Sequence, residues 1–295
     1  MSALSSHSRR DFLQQGSLVL LAASCTTRAN GQQAPPAPLQ IGLLTDVHYA
    51  DRPPTGTRFY RESLDKAAVA VKQFNERKCE LAVMLGDFID SAADEAGELA
   101  HLTAIEKVYA EFTGDRHYVL GNHCVSKLTK EQFRESTGGR AEHYSFDHGG
   151  FHFVVLDACY RADGVAYGKE NFVWTDTDIP ESQRDWLRAD LKSNPRPTIV
   201  FVHQRVDDAK DYTIKSASLV RRILEESGQV LAVVQGHSHA NAYQTVHGIH
   251  YVTLRAVVEQ SGASNNAFSI LQVYPEGDLK IEGFQRQTSY EWAKG

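Results

Sequence analysis

The chain has 295 residues, 31 basic and 37 acidic side chains and a formal net charge of −6, with 42% hydrophobic residues. These ordinary fractions exclude a disordered, collagen-like or coiled-coil protein, and the acidic balance argues against nucleic-acid binding through backbone phosphates. Thirteen His against four Cys hint at metal chemistry without deciding it.

In chain order, Ser8-Arg9-Arg10-Asp11-Phe12-Leu13 followed by the apolar stretch from Leu18 to Ala23 reads as a twin-arginine export signal. The stretch is too short to remain as a membrane-spanning helix. Cys25, after Ala22-Ala23-Ser24, loosely resembles a lipoprotein processing site and is a candidate lipid anchor, although Ala22 stands where Leu is usual. Gln32 to Pro38 is a polar, Pro-rich linker. Residues 1–38 are therefore assigned to signal and linker, residues 39–295 to one domain, and the protein to the periplasm or another extracytoplasmic space. Cleavage leaves Cys79, Cys124 and Cys159, an odd number, so no complete disulfide framework is expected and the thiols read as buried or site-adjacent.

From Leu39 short apolar runs alternate with amphipathic segments, which predicts α/β layering. The runs are Ile41–Leu44, Leu81–Leu85, Tyr118–Leu120, Phe151–Leu156, Thr198–Val202 and Val230–Val234. Each is bounded by turn residues, as expected of strands buried on both faces. Helical spacing links Leu64, Ala68, Val71 and Phe74, and again Leu99, Leu102, Ile105, Val108 and Phe112. Asp178-Ile179-Pro180-Glu181 and Ser216 read as helix starts, and Gly228 as a helix end. His247-Gly248 and the segment Pro275 to Asp278 read as hairpin turns. His143, His148, His152, His247 and His250 fall in hairpin patterns and are taken as bystanders.

The informative residues follow the runs: Asp46-Val47-His48, Gly86-Asp87-Phe88-Ile89-Asp90, Gly121-Asn122-His123, His203 and Gly236-His237-Ser238-His239. Ligands of open α/β sheets collect beyond the carboxyl ends of strands, so five strands deliver Asp, Asn and His to one edge. Imidazole with carboxylate and amide oxygen suits Mn, Fe or Zn. One carboxylate can bridge two ions about 3.5–4 Å apart. The glycines before Asp87, Asn122 and His237 allow sharp turns and close approach.

This order of motifs resembles the calcineurin-like metallophosphoesterase family, from about residue 40 to beyond residue 239. The resemblance implies a four-layer αββα sandwich of two mixed sheets flanked by helices. It implies two divalent ions, one held by Asp46, His48, Asp87 and His239, the other by Asp87, Asn122, His203 and His237. It also implies hydrolysis of phosphate esters or phosphoanhydrides by a metal-bridging hydroxide, with Asn122 stabilising charge on phosphoryl oxygens. His123 would act as acid for the leaving oxygen and Asp90 would orient its ring. The substrate would be a small phosphorylated molecule, whose charge a metal pair makes compatible with an acidic protein.

Within the family, Asp46 to Asp51, Gly56 to Leu64 and Val257 to Gln260 look like the manganese-dependent ADP-ribose/CDP-alcohol diphosphatase branch, which gives a nucleotide-conjugate diphosphatase as the alternative. His48 stands where that branch usually carries Gln, and Cys124 where Asp or Glu usually follows, so substrate and metal preference do not transfer. The polar, aromatic segment Cys159 to Ile179 is a candidate substrate wall, with Arg58, Arg61, Arg161, Tyr167 and Trp174 as candidate substrate contacts. The reading from another class is a non-catalytic metal-binding docking module. Nothing in the sequence sets the oligomeric state.

Overall fold

A computed structural model describes residues 37–292. The twin-arginine segment, Cys25 and the linker up to Pro36 lie outside the described residues. The first half of the chain forms β1 (Leu39–Leu44), α1 (Glu62–Glu76), β2 (Leu81–Met84), α2 (Glu95–Tyr109), β3 (Asp115–Tyr118) and α3 (Lys130–Ser136). Next come β4 (Tyr144–His148), β5 (Phe151–Val155), α4 (Glu181–Ser193), β6 (Thr198–Phe201), α5 (Ala217–Ser227) and β7 (Val230–Gln235). Two hairpins and an edge strand follow: β8 (Ala242–Val246), β9 (Ile249–Thr253), β10 (Ala267–Val273), β11 (Leu279–Gln285) and β12 (Tyr290–Trp292).

Two six-stranded sheets result, ordered β12-β11-β10-β1-β2-β3 and β4-β5-β6-β7-β9-β8. Both are mixed. In the first, β1, β2 and β3 run parallel while β10 pairs antiparallel with β1. In the second, β5, β6, β7 and β9 run parallel between antiparallel β4 and β8.

Side-chain alternation along each strand builds the layers. Ile41, Leu43, Leu81 and Val83 meet Phe153, Ile199, Phe201 and Val234 between the sheets. On the outer face of the first sheet, Leu44, Ala82 and Met84 meet Phe74 of α1 and Leu102 and Ile105 of α2. On the outer face of the second, Val154, Val200 and Val233 meet Leu187 of α4 and Val220 and Leu224 of α5. Strands apolar on both sides explain the unbroken runs in the sequence.

Several expectations shift in detail. Apolar Tyr118–Leu120 marks only the end of β3, whose earlier residues Asp115-Arg116-His117 are polar because β3 is an edge strand. Edge strand β12 and helix α3 were not anticipated, whereas β4 and β5 form the hairpin read around His148 and His152. Phe112 lies past the end of α2, and Ala68 of α1 is exposed while Lys66 is buried. The cap of α4 is Pro180; the Asp178 carboxylate instead accepts from Ile179 and Ser216 N–H, both at 2.8 Å, tying the starts of α4 and α5 together. Ser216 is the α5 cap position without a side-chain cap bond, and Gly228 closes α5 with φ +68°. His247 and Gly248 both have positive φ, as a two-residue hairpin turn requires. His152 sits between Asp147 and Asp190, at 2.7 and 2.8 Å, in a structural role.

Gly42 in β1 lies directly under Phe74: a Cβ there would fall 2.5 Å from the ring. Gly42→Ala should therefore push α1 off the sheet and destabilise the fold by about 1–3 kcal/mol, measured by denaturant unfolding. Unchanged stability would refute this packing.

Candidate metal centre

The ends of β1, β2 and β3 in one sheet and β6 and β7 in the other meet at one mouth of the sandwich. Backbone bonds stitch the loops there: Asp46 N–H donates to Gly86 O at 3.0 Å, His48 N–H to Asp87 O at 2.8 Å, and Gly236 N–H to His203 O at 3.0 Å. Asp46, His48, Asp87, His237 and His239 all have left-handed backbone, with φ between 45° and 68°. Such conformations cost on the order of 1–3 kcal/mol each for side chains other than glycine and concentrate at functional sites. Two glycines serve close approach rather than turning. A Cβ on Gly121 would fall 2.2 Å from Asp87 N, and one on Gly236 2.2 Å from Thr45 Oγ1.

Each central carboxylate has one anchored oxygen and one that faces imidazoles. Asp46 Oδ2 accepts from Thr45 Oγ1 at 2.6 Å and from His237 N–H at 3.1 Å. Its Oδ1 is buried without a hydrogen-bond partner, 3.4 Å from His239 Nε2 and 3.7 Å from His48 Nε2. Asp87 Oδ1 accepts from His123 N–H at 2.8 Å. Its Oδ2 lies 3.1 Å from His203 Nε2 and 3.5 Å from His48 Nε2, between the two halves of the cluster.

Neighbouring acceptors fix the rings. His48 Nδ1 meets Asp90 Oδ2 at 2.9 Å, His239 Nδ1 meets Glu259 Oε1 at 2.7 Å and His203 Nδ1 meets Leu85 O at 2.7 Å. With Nδ1–H donated outward in each, the Nε2 lone pairs turn inward. His48 Nε2 and His239 Nε2 then stand 3.1 Å apart, a repulsive arrangement unless a proton or a cation lies beside them.

The charges agree with this geometry. Burial pushes the Asp46 carboxyl up, but the His203 and His239 imidazoles hold it well below the usual range. Asp87 is likewise held low, by His203 and His123 against burial. Burial works against charge on His203 and His239, yet Asp87 and Asp46 raise the first and Asp46 the second to about 9. Burial and nearby His203 drop His237 to about 3, leaving it a neutral ring with a buried, unpartnered Nε2.

The residues fit a metal pair. Asp46, His48 and His239 can place one donor atom each within 4.8 Å of one another, and so can Asp87, His203 and His237. Buried Asp46 Oδ1, Asn122 Oδ1, His203 Nε2 and His237 Nε2 make no hydrogen bond within the protein, which is the signature of donors meant for something else. A third group, His48, Asp90 and His123, shares His48. Its carboxylate is already met by Arg52 Nη2 at 2.9 Å, with Arg58 Nη1 at 3.7 Å.

Asp90 is not a helix start: Asp94 caps α2, accepting from Gly97 N–H at 2.8 Å. Asp90 holds His48 more closely than His123, whose Nδ1 is 3.5 Å from Asp90 Oδ1. Burial alone would lower the His123 pKa, but Asp87 and Asp90 raise it.

A cavity of about 360 Å³ opens over these groups, lined by Arg58, Asn122, His123, Trp174, His237 and Glu259 among others. Of the candidate substrate contacts, Arg58 and Trp174 line this cavity. Three candidates do not line it. Arg61 is exposed and pairs with Asp51 at 2.6 Å, and Arg161 pairs with Asp163 at 2.7 Å; both charges are answered at the surface. Tyr167 is buried, its hydroxyl directed at the Val173 and Asp176 carbonyls, so it braces a turn rather than meeting solvent. Cys79, Cys124 and Cys159 are free and buried.

Sequence reasoning missed Arg52 and Tyr212, which sit on loops without a motif, and gave no role to Glu259 within the branch-like stretch Val257 to Gln260. Lys66 was hidden too: it is buried in α1, and its ammonium donates to the Val257, Glu259 and Gln260 carbonyls, at 3.1, 3.0 and 2.5 Å. A Lys on the core face of an amphipathic helix was the available signal. Lys66 holds the loop that presents Glu259 to His239. Glu259→Gln, keeping shape but losing charge, should weaken Mn²⁺ affinity about tenfold, as read by calorimetric titration. Affinity equal to the parent's would show that Glu259 does not tune this ring.

The calcineurin-like phosphoesterase model matches residues 39–241. The manganese-dependent ADP-ribose/CDP-alcohol diphosphatase of Arabidopsis thaliana is 24% identical, over 85% of this chain and 96% of that one. A 3',5'-cyclic-nucleotide phosphodiesterase of Nostoc is also 24% identical, over 81% and 85%. A dimetal phosphatase from Danio rerio shares the fold with a TM-score of 0.78 at 22% identity, over 88% of this chain and all (100%) of that one. With strand-end motifs, mixed double sheet and matched model in agreement, the chain belongs to the calcineurin-like phosphoesterase family.

Proposed function

We propose that the protein is a binuclear, metal-dependent hydrolase of phosphate esters or phosphoanhydrides. The observation that carries this reading is the set of buried donor atoms around Asp87 that make no hydrogen bond within the protein: Asp46 Oδ1, Asn122 Oδ1, His203 Nε2 and His237 Nε2. Asp46, His48, Asp87 and His239 would hold one ion, and Asp87, Asn122, His203 and His237 the other. Bound divalent ions supply Lewis acidity to phosphoryl oxygens and make water a competent nucleophile near neutral pH.

The protein's own groups do the rest. His123 Nδ1 is buried and faces Asp90, so the proton for the leaving oxygen is carried on Nε2. The raised His123 pKa keeps that proton available. Asp90, braced by Arg52 at 2.9 Å, bonds the His48 ring at 2.9 Å and faces the His123 ring at 3.5 Å. Arg58, at the cavity wall, offers a guanidinium to phosphate oxygens.

The finer reading, a nucleotide-conjugate diphosphatase, is favoured by the diphosphatase name of the Arabidopsis relative. The phosphodiesterase name of the Nostoc relative, at equal identity, leaves ester substrates equally in play. The docking-module reading is opposed by the full donor set together with His123.

A panel of nitrophenyl mono- and diesters, ADP-ribose and CDP-alcohols with Mn²⁺ should reveal turnover. His123→Ala should lower kcat about 10²–10⁴-fold while metal content stays unchanged. No turnover on any member would leave the docking module; full activity in His123→Ala would remove the acid role. Export through the twin-arginine route is part of the same reading and suits a metal enzyme that loads its ions before crossing. Arg9→Lys with Arg10→Lys should retain the protein in the cytoplasm on fractionation, and undiminished export would overturn that assignment.

A further inference from the structure

Trp174 and Tyr212 remain 42% and 38% exposed although both border the catalytic cavity. The other exposed large aromatic among the described residues, Tyr243, lies far from any candidate ligand and stacks on Trp292, with centroids 5.1 Å apart. Trp174 and Tyr212 instead lie 5.5 Å from each other, tilted by 40°, and 6.2 and 5.8 Å from the His237 ring. They come from separate loops, one between β5 and α4 and the other between β6 and α5, yet they converge on one candidate metal ligand.

Both rings are held on braced turns. The buried Tyr167 hydroxyl is directed at the Val173 and Asp176 carbonyls, on either side of Trp174. Tyr212 O accepts from Arg205 N–H at 3.2 Å, and Arg205 is itself clamped on buried Asp207 through contacts of 2.8 and 2.6 Å. Fixing apolar rings in contact with water has no stabilising value for the fold; it is useful when a flat ligand takes the water's place. The same cavity is lined by Arg58, whose side chain is 35% exposed and whose nearest carboxylate is Asp90 at 3.7 Å, and by Glu259.

We infer that Trp174 and Tyr212 form a platform for a flat ring covalently attached to the phosphate, so that the site selects nucleobase- or aryl-bearing phosphates over aliphatic ones. This rests on the hydrolase reading of the same cavity. A stacked ring contributes an affinity factor of about ten.

Two matched ligand pairs test it on the Mn²⁺-loaded protein by calorimetry. AMP is set against ribose 5-phosphate, which lacks only the base, and phenyl phosphate against propyl phosphate. The expected result is about tenfold tighter binding of at least one ring-bearing member over its partner. Which pair responds distinguishes nucleobase from aryl recognition. Trp174→Ala and Tyr212→Ala should each collapse that ratio, and Trp174→Phe should restore most of it. Both side chains are exposed, so the substitutions leave the core intact, and melting curves of each variant check this.

No ring preference in the parent, or a ratio that survives both alanine variants, overturns the platform. The two readings fail separately. Mn²⁺-dependent turnover without ring preference refutes the platform alone; ring-dependent binding without any turnover of phosphorylated compounds refutes the hydrolase alone.

Discussion

Two buried carboxylates, Asp46 and Asp87, govern the rest of this structure. Burying an ionised carboxylate is expensive unless charge and hydrogen bonds answer it. Here each is answered by half: one oxygen is pinned by a backbone N–H, and the other is directed at imidazoles. The pinned halves fix where the free halves point. Five left-handed residues and two close-approach glycines are the conformational cost of bringing them so near.

The surrounding layers make that cost bearable. Strands buried on both faces hold the loop ends rigidly, and the inter-sheet core of Ile41, Leu43, Phe153 and Phe201 keeps the two sheets in register beneath the site. Around the imidazoles lies a ring of acceptors, Asp90, Glu259 and Leu85 O, that turns the Nε2 atoms inward. That ring is in turn supported by Arg52 and Lys66. Removing any member loosens the geometry of a donor it never replaces, which is why positioning residues matter as much as ligands in such centres.

The cavity above the centre is unequal in character. Its floor of Asp, Asn and His is suited to ions and phosphate, while its rim carries aromatic and guanidinium groups from three loops. On the proposed reading, the floor residues would set the reaction class and the rim residues which molecule reaches it. The matched relatives fit this division. The Arabidopsis diphosphatase and the Nostoc phosphodiesterase are both named for hydrolysis of phosphorus–oxygen bonds, in different molecules.

The amino-acid sequence by itself determined the layered α/β class and the floor of the site, because strand-end ligands are local: a short apolar run followed at once by Asp-x-His, Gly-Asp or Gly-His-x-His needs no distant partner to be legible. It also marked Arg58 and Trp174. It misread Arg61, Arg161 and Tyr167, since an Arg paired with its neighbour and a Tyr bracing a turn look the same in sequence as substrate contacts. Only the tertiary structure brought Glu259 to His239, Lys66 to the 257–260 loop and Tyr212 to Trp174. Those contacts join residues 20 to 194 positions apart, and no periodicity or motif records which loops a folded sandwich brings to the same rim.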